Sequence, residues 1–154
     1  MKHFSFVAID VRPLSQNDRP KAKLKILRSE LVGAYNKKYP LNKMPLNILL
    51  NTPLEAKVFY IHKIRDRFDA DNISKPLWDA LQGQAYNNDY IIKYLETLKI
   101  HFNSTPDRLE FDVSNMDDQD LEDLINFIYD HPQPKDRLLY IALSEYKSKN
   151  VRLI

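Results

Sequence analysis

The chain has 154 residues, 44 % of them hydrophobic and 29 % charged, with 2 glycines and no cysteine. That length suits one domain with a real core, and the composition is globular rather than disordered. The lack of cysteine excludes a disulfide framework and a thiolate metal site. No stretch approaches a membrane span, and the start, Met1-Lys2-His3-Phe4, has no apolar leader or cleavage pattern, so a soluble cytoplasmic protein is expected. The net charge of +2 hides an asymmetry: residues 1–50 carry +7, residues 51–102 are neutral, and residues 103–154 carry −5. A basic front half suits an anionic partner such as nucleic acid, although a solvated lysine face would give the same count.

Residues 4–10 predict a strand, with Phe4, Phe6 and Ala8 alternating with Ser5, Val7 and Ile9. A loop over 12–17 follows. Asp18 is the expected cap of a helix with Pro20 in its first turn. Leu24, Leu27, Leu31 and Tyr35 share one face of that helix, and Lys21, Lys25 and Arg28 form a basic stripe on another. The helix must stop before Pro40. Residues 41–53 read as a loop or short strand. Residues 55–65 read as a long strand whose run Val58-Phe59-Tyr60-Ile61 is that of a strand buried on both faces. This strand delivers Lys63, Arg65, Arg67 and a pair of carboxylates to its C-terminal end.

A short helix comes next. Pro76 is expected in its first turn, so the helix should start no earlier than Asn72, and Gly83 is a natural C-cap. Leu77, Ala80 and Leu81 make its packing face, with Trp78 beside them as a core residue. Lys75 and Asp79 are spaced i, i+4 and can pair. Residues 90–102 fit both a helical stripe and strand alternation. Residues 109–113 predict a short strand. Residues 117–130 predict a helix with Leu121, Leu124, Ile125 and Ile128 on one stripe and a solvated acidic start. Residues 137–146 predict the last strand. His3, His62, His101 and His131 show no ligand spacing, although His62 and His101 lie on strands expected to flank the site.

The chemistry concentrates between residues 69 and 89. In an extended segment, residues i and i+2 point the same way about 6.5 Å apart. Asp69 and Asp71 would then face one volume and repel by about 2–3 kcal/mol at an effective dielectric of about 20. A hard divalent cation turns that repulsion into ligation. Asp and Asn are also common turn and cap residues, so Asp69, Asp71 and Asn72 alone are weak signals.

The longer pattern is more specific. Asp69, Asp71, Asn72, Lys75, Asp79, Ala80, Leu81, Gly83, Tyr86 and Asp89 match, in order and spacing, the core of the RusA-type Holliday-junction resolvases, which this chain resembles. That core reads Asp-x-Asp-Asn-x-x-Lys, then Asp-Ala-Leu, then an aromatic residue and Asp-Asp before a strand. The chain departs at Asn88, which replaces the first Asp of the final pair. The specific motif covers about 20 residues, with weaker similarity over 4–102. The resemblance implies a strand over 90–102 that starts beside the Asp69 and Asp71 end of its neighbour. It implies a small homodimeric endonuclease that cuts branched DNA with Mg²⁺ or Mn²⁺. Asp69, Asp71 and Asp89 would hold the ion, and Lys75 would be the catalytic lysine. The ion would polarise the phosphate and generate a hydroxide.

The expected fold is α+β: a mixed sheet of about four strands with two or three packed helices. It would form a single domain over 1–154, with a divergent acidic helical insertion or tail at about 103–136. Lys21, Lys25, Arg28, Lys63, Arg65 and Arg67 are the expected DNA-backbone contacts. Two other classes share these residues: a non-catalytic DNA-binding module, and a protein-interaction domain whose aspartates hold a structural cation. Metal titration separates them, since a structural ion raises the melting temperature without producing cleavage.

Overall fold

The computed structural model describes residues 3–17, 20–47, 49–67, 69–102 and 113–147. The order along the chain is β1 (His3–Ile9), α1 (Lys21–Lys38), β2 (Leu54–His62), α2 (Ala70–Leu81), a 3-10 turn (Asp89–Ile91), β3 (Ile92–His101), α3 (Asp118–Ile128) and β4 (Arg137–Glu145). The four strands form one mixed sheet in the order β1-β4-β2-β3. β4 is antiparallel to both of its neighbours, and β3 is parallel to β2. The expected α+β architecture is therefore present. No helix among the described residues is long and apolar enough to cross a membrane.

The sheet is covered on both faces. Phe4, Phe6, Ala8, Ala56, Val58, Tyr60, Leu139, Ile141 and Leu143 pack against α1 and α2. Phe59, Ile61, Leu138 and Tyr140 pack against α3. This two-sided burial explains the unbroken apolar run in β2, since alternate residues serve opposite cores. All residues from 58 to 62 are buried. β2 ends at His62, three residues before the expected Arg65, so Lys63, Arg65 and Arg67 leave the sheet on a loop.

α1 buries Leu27, Leu31 and Tyr35, spaced four apart as its apolar stripe requires. Tyr35 sets its ring edge-on to Phe4 and Phe6, with centroids 5.1 and 5.7 Å away. Pro20 stands at the N-cap, whereas Asp18, the expected cap, lies outside the described residues. The described residues between 41 and 53 are irregular, and Leu50 forms a bridge with Tyr86.

α2 starts at Ala70, two residues earlier than expected, and Pro76 is its seventh residue rather than part of its first turn. An interior proline removes the N–H that would bond to the carbonyl four residues back, here that of Asn72. The backbone N–H of Gln16 takes that place, 2.9 Å from the Asn72 oxygen. The loop after β1 thus satisfies the acceptor that Pro76 leaves open and ties itself to the start of α2. Gly83 follows the Gln82 C-cap with φ 80°, a conformation that favours glycine.

Two expectations for the C-terminal third are corrected. Leu124 is buried on the packing face of α3, with Leu121 and Ile128 packed beside it as expected, but Phe127 takes the place expected of Ile125, which is 45 % exposed. Nor is its acidic start wholly solvated, because Asp120 is fully buried. The Asp120 carboxylate accepts from Ser5 Oγ at 2.5 Å and from Lys38 Nζ at 2.9 Å. Lys38 also reaches Asp117 at 2.5 Å and the Ser5 carbonyl at 2.7 Å. The Tyr39 hydroxyl donates to the same carbonyl at 3.0 Å. β1 is an edge strand, and these contacts fasten α1 and α3 across its open side. The strand expected over 109–113 falls almost wholly outside the described residues, and Val113 itself is not in a strand.

Lys38→Met should therefore leave the Asp120 carboxylate buried without its ammonium partner. The expected loss is about 3–5 kcal/mol, the scale of a buried pair stripped of one member. Urea unfolding would read it as a lower midpoint at unchanged slope. A loss below about 1 kcal/mol, the scale of a surface pair, would overturn this account.

Candidate active site

The loop joining β2 to α2 is anchored from below by Asp66. Its carboxylate accepts from the Tyr60 hydroxyl and lies 3.5 Å from Arg137 Nε. Its carbonyl accepts from Lys99 Nζ at 2.9 Å. On the neighbouring strand end, Asp10 takes a positive φ of 56° and its Oδ1 accepts the backbone N–H groups of Asp136 and Arg137 at 2.8 and 3.1 Å. These contacts hold the strand ends together where the loop departs. The sequence marks Asp66 only as an acid between two arginines. Its partners Tyr60, Lys99 and Arg137 come from three different strands, so local spacing could not reveal them.

His62 closes β2 inside this cluster. Its ring stacks between those of Tyr60 and His101, with centroids 4.9 and 4.8 Å away. Nδ1 lies 2.6 Å from the Ile64 carbonyl, and Nε2 is buried without a partner among the described residues. Burial holds His62 below the ordinary histidine value.

The carboxylates sit differently from the sequence expectation. Asp69 is the N-cap of α2 and Asp71 lies in its first turn, so the two do not share the face of an extended segment. Both are exposed. Asp89 opens the 3-10 turn before β3 rather than the strand itself. β3 is parallel to β2 and pairs Ile92 with Leu54, so its start lies at the opposite end of β2 from the Asp69 loop. The sheet therefore does not bring Asp89 to Asp69. Helix α2 runs back between the two parallel strands, and partway along it Lys75, rather than Asp69, meets Asp89.

Lys75 is the meeting point. Its Nζ donates to Asp79 Oδ1 at 2.5 Å and to Asp89 Oδ2 at 2.9 Å. Side-chain exposure is 42 % for Lys75, 19 % for Asp79 and 48 % for Asp89. Asp71, Lys75 and Asp79 recur every four residues, so they line one face of α2. The hydrogen bonds to Asp79 first, and to Asp89 second, raise Lys75 above the ordinary lysine range. The same ammonium lowers Asp89. Buried Ile73, Leu77, Trp78, Ala80 and Leu81 fix the opposite side of α2 on the sheet, which confirms Trp78 as a core residue.

The donor set matches a hard divalent cation in kind, being exposed carboxylate oxygen. As placed, no three His, Cys, Asp or Glu side chains among the described residues surround one point. Lys75 supplies the positive charge beside Asp89 in this arrangement.

The expected DNA-contact residues divide. Lys21, Lys25, Arg65 and Arg67 are exposed. Arg28 spends its Nε on the Ala80 carbonyl at 2.8 Å, which ties α1 to α2. Lys63 is held by Asp130 and donates to the Phe127 carbonyl at 2.5 Å, against the end of α3. These two have structural partners that sequence spacing did not show.

The family model described as Endodeoxyribonuclease RusA matches residues 19–113, a span containing Asp69, Asp71, Lys75, Asp79 and Asp89. β1, α3 and β4 lie outside that span. No curated protein matches the chain.

His62 generates a pH prediction. A base whose folded pKa is lowered stays neutral where the unfolded chain takes up a proton. Its contribution is fully present above about pH 6.5, the ordinary histidine value, and is lost as the pH falls below it. Melting temperature should drop between about pH 7 and about pH 5, and His62→Phe, which keeps a ring in the stack, should flatten that drop. An identical pH slope in the variant would count against the assignment.

Proposed function

Because the chain belongs to the RusA endodeoxyribonuclease family, we propose that it is a Mg²⁺-dependent endonuclease that resolves four-way DNA junctions by phosphodiester hydrolysis. The observation that carries this reading is Lys75, held on α2 by Asp79 and Asp89 one helical turn from Asp71. Cationic and anionic groups side by side on one rigid helix suit a phosphodiester better than they suit a neutral ligand. A non-catalytic module has less need of exposed carboxylates, which repel phosphate when no cation is present.

In this reading Asp69, Asp71 and Asp89 hold the divalent cation, Mg²⁺ or Mn²⁺. When bound, such an ion supplies Lewis-acid charge to the reacting phosphate. The protein's own contribution is Lys75, which offers an N–H to a phosphate oxygen as negative charge grows there. Lysine carries three donors, and Asp79 and Asp89 account for two of them. Arg65 and Arg67, on the loop fixed by Asp66, hold the backbone near the cut. Lys21 and Lys25 add affinity without reading sequence. Arg28 and Lys63 serve mainly through their protein contacts. Two strands of a junction must be cut symmetrically, which favours a two-fold homodimer. The region at about 103–136 is proposed as a family-divergent acidic helical insertion or tail of this single domain.

A labelled four-way junction, incubated with and without Mg²⁺, tests the reading. Asp71→Asn should abolish nicking while gel-shift affinity is kept or raised, since the variant removes a ligand charge and some phosphate repulsion. Sedimentation of the same samples reads the assembly. Wild-type cutting by the variant, or a chain that stays monomeric on the junction, would overturn the corresponding part.

The charge reading makes a separate prediction. Lys21→Glu combined with Lys25→Glu should weaken binding to junctions of every sequence and make log affinity less steep against log salt. Metal binding should not change. Unchanged affinity and slope would show a merely solvated stripe and shift the contact to Arg65 and Arg67.

A further inference from the structure

We propose that Asp79 is the positioning residue of the site: it holds Lys75 in place when a divalent cation draws Asp89 away. This rests on the reading of Lys75 as the catalytic lysine. Lys75 has two carboxylate partners of unequal character. Asp89 is more exposed, lies in a 3-10 turn beyond the loop that follows α2, and is the partner a cation would claim. Asp79 is less exposed, sits closer, and belongs to the same helix. Its distance from Lys75 is set by one turn of α2 and does not depend on any loop.

The two partnerships therefore respond differently to a cation. A divalent ion and an ammonium compete for the oxygens of Asp89, and the doubly charged ion has the larger attraction. Once Asp89 turns to the ion, Lys75 keeps only Asp79. A lysine with one partner is still restricted in direction, whereas a lysine with none is free to sample its many rotamers. Tight packing makes Asp79 a stable post. Its neighbours Trp78 and Ala80 are buried, and the Trp78 carbonyl accepts from the Tyr86 hydroxyl. The Ala80 carbonyl accepts from Arg28 of α1. The backbone on both sides of Asp79 is thereby fixed from two other parts of the fold.

The test is a double-mutant cycle on junction cleavage in Mg²⁺, using the full chain. Asp79→Asn should lower the single-turnover cleavage rate by about 10- to 100-fold, the scale for loss of a group that orients a site residue. KM and gel-shift affinity should stay within about twofold, and Asp79→Glu should recover part of the rate. If Asp79 acts through Lys75, Lys75→Ala with Asp79→Asn should be no slower than Lys75→Ala alone, because residues in contact are not additive. Independent, multiplicative losses would overturn the positioning role, as would a wild-type rate in Asp79→Asn. A general loss of folding in Asp79→Asn, read as a collapsed melting temperature with lost junction binding, would assign Asp79 to structure and overturn it too. Wild-type cleavage by Lys75→Ala would instead sink the assignment of Lys75, a failure of the underlying reading that the cycle separates from this one.

Discussion

Strand β2 must be buried on both of its faces, and much of the structure follows from that. A central strand with apolar side chains pointing both ways has to be covered by a layer above and a layer below. Here α1 and α2 supply one layer and α3 the other. Because β3 runs parallel to β2, the connection must cross the sheet and return, and α2 is that return. The helix that satisfies the connection is the one that carries Asp71, Lys75 and Asp79. The candidate site is thus built on the rigid crossover of the fold rather than on a free loop.

Polar contacts then lock the layers in register. Lys38, Asp117, Asp120 and Ser5 join α1, α3 and β1 where hydrophobic packing alone would leave an open strand edge. Tyr60, Asp66, Lys99 and Arg137 join β2, its exit loop, β3 and β4. A third joint answers a defect: Pro76 leaves the Asn72 carbonyl without a helical partner, and Gln16 fills it. In each case a buried or partly buried polar group would be costly alone, so its partner fixes a specific arrangement.

The site combines a cation that belongs to the chain with carboxylates suited to a cation that does not. Lys75 offsets one of the two negative charges of Asp79 and Asp89, so the acidic face keeps a net negative charge. The basic residues around it have unequal roles. Arg28 and Lys63 hold helices together, while the exposed Arg65 and Arg67 ride on a loop that Asp66 fixes. Net charge along the sequence counts all four alike. Only their partners distinguish structural cations from exposed ones.

What the sequence determined by itself is local. Apolar alternation in β1, the four-residue spacing of Leu27, Leu31 and Tyr35, the doubly apolar run of β2 and the stop before Pro40 are all set by neighbours a few residues away. The ordered motif from Asp69 to Asp89 was equally legible, because side-chain chemistry at fixed spacing needs no fold to be recognised. What the tertiary structure decided depends on residues far apart in the chain. Pro76 is tolerated deep inside α2 because a loop more than fifty residues earlier supplies the missing hydrogen bond. Asp120 is buried because Lys38 and Ser5 receive it, although its acidic neighbours suggested a solvated helix start. Asp89 reaches the site through the helix, because parallel pairing sends the start of β3 to the far end of β2. Local preference sets the elements, and the long-range cost of leaving buried polar groups unpaired sets where they meet.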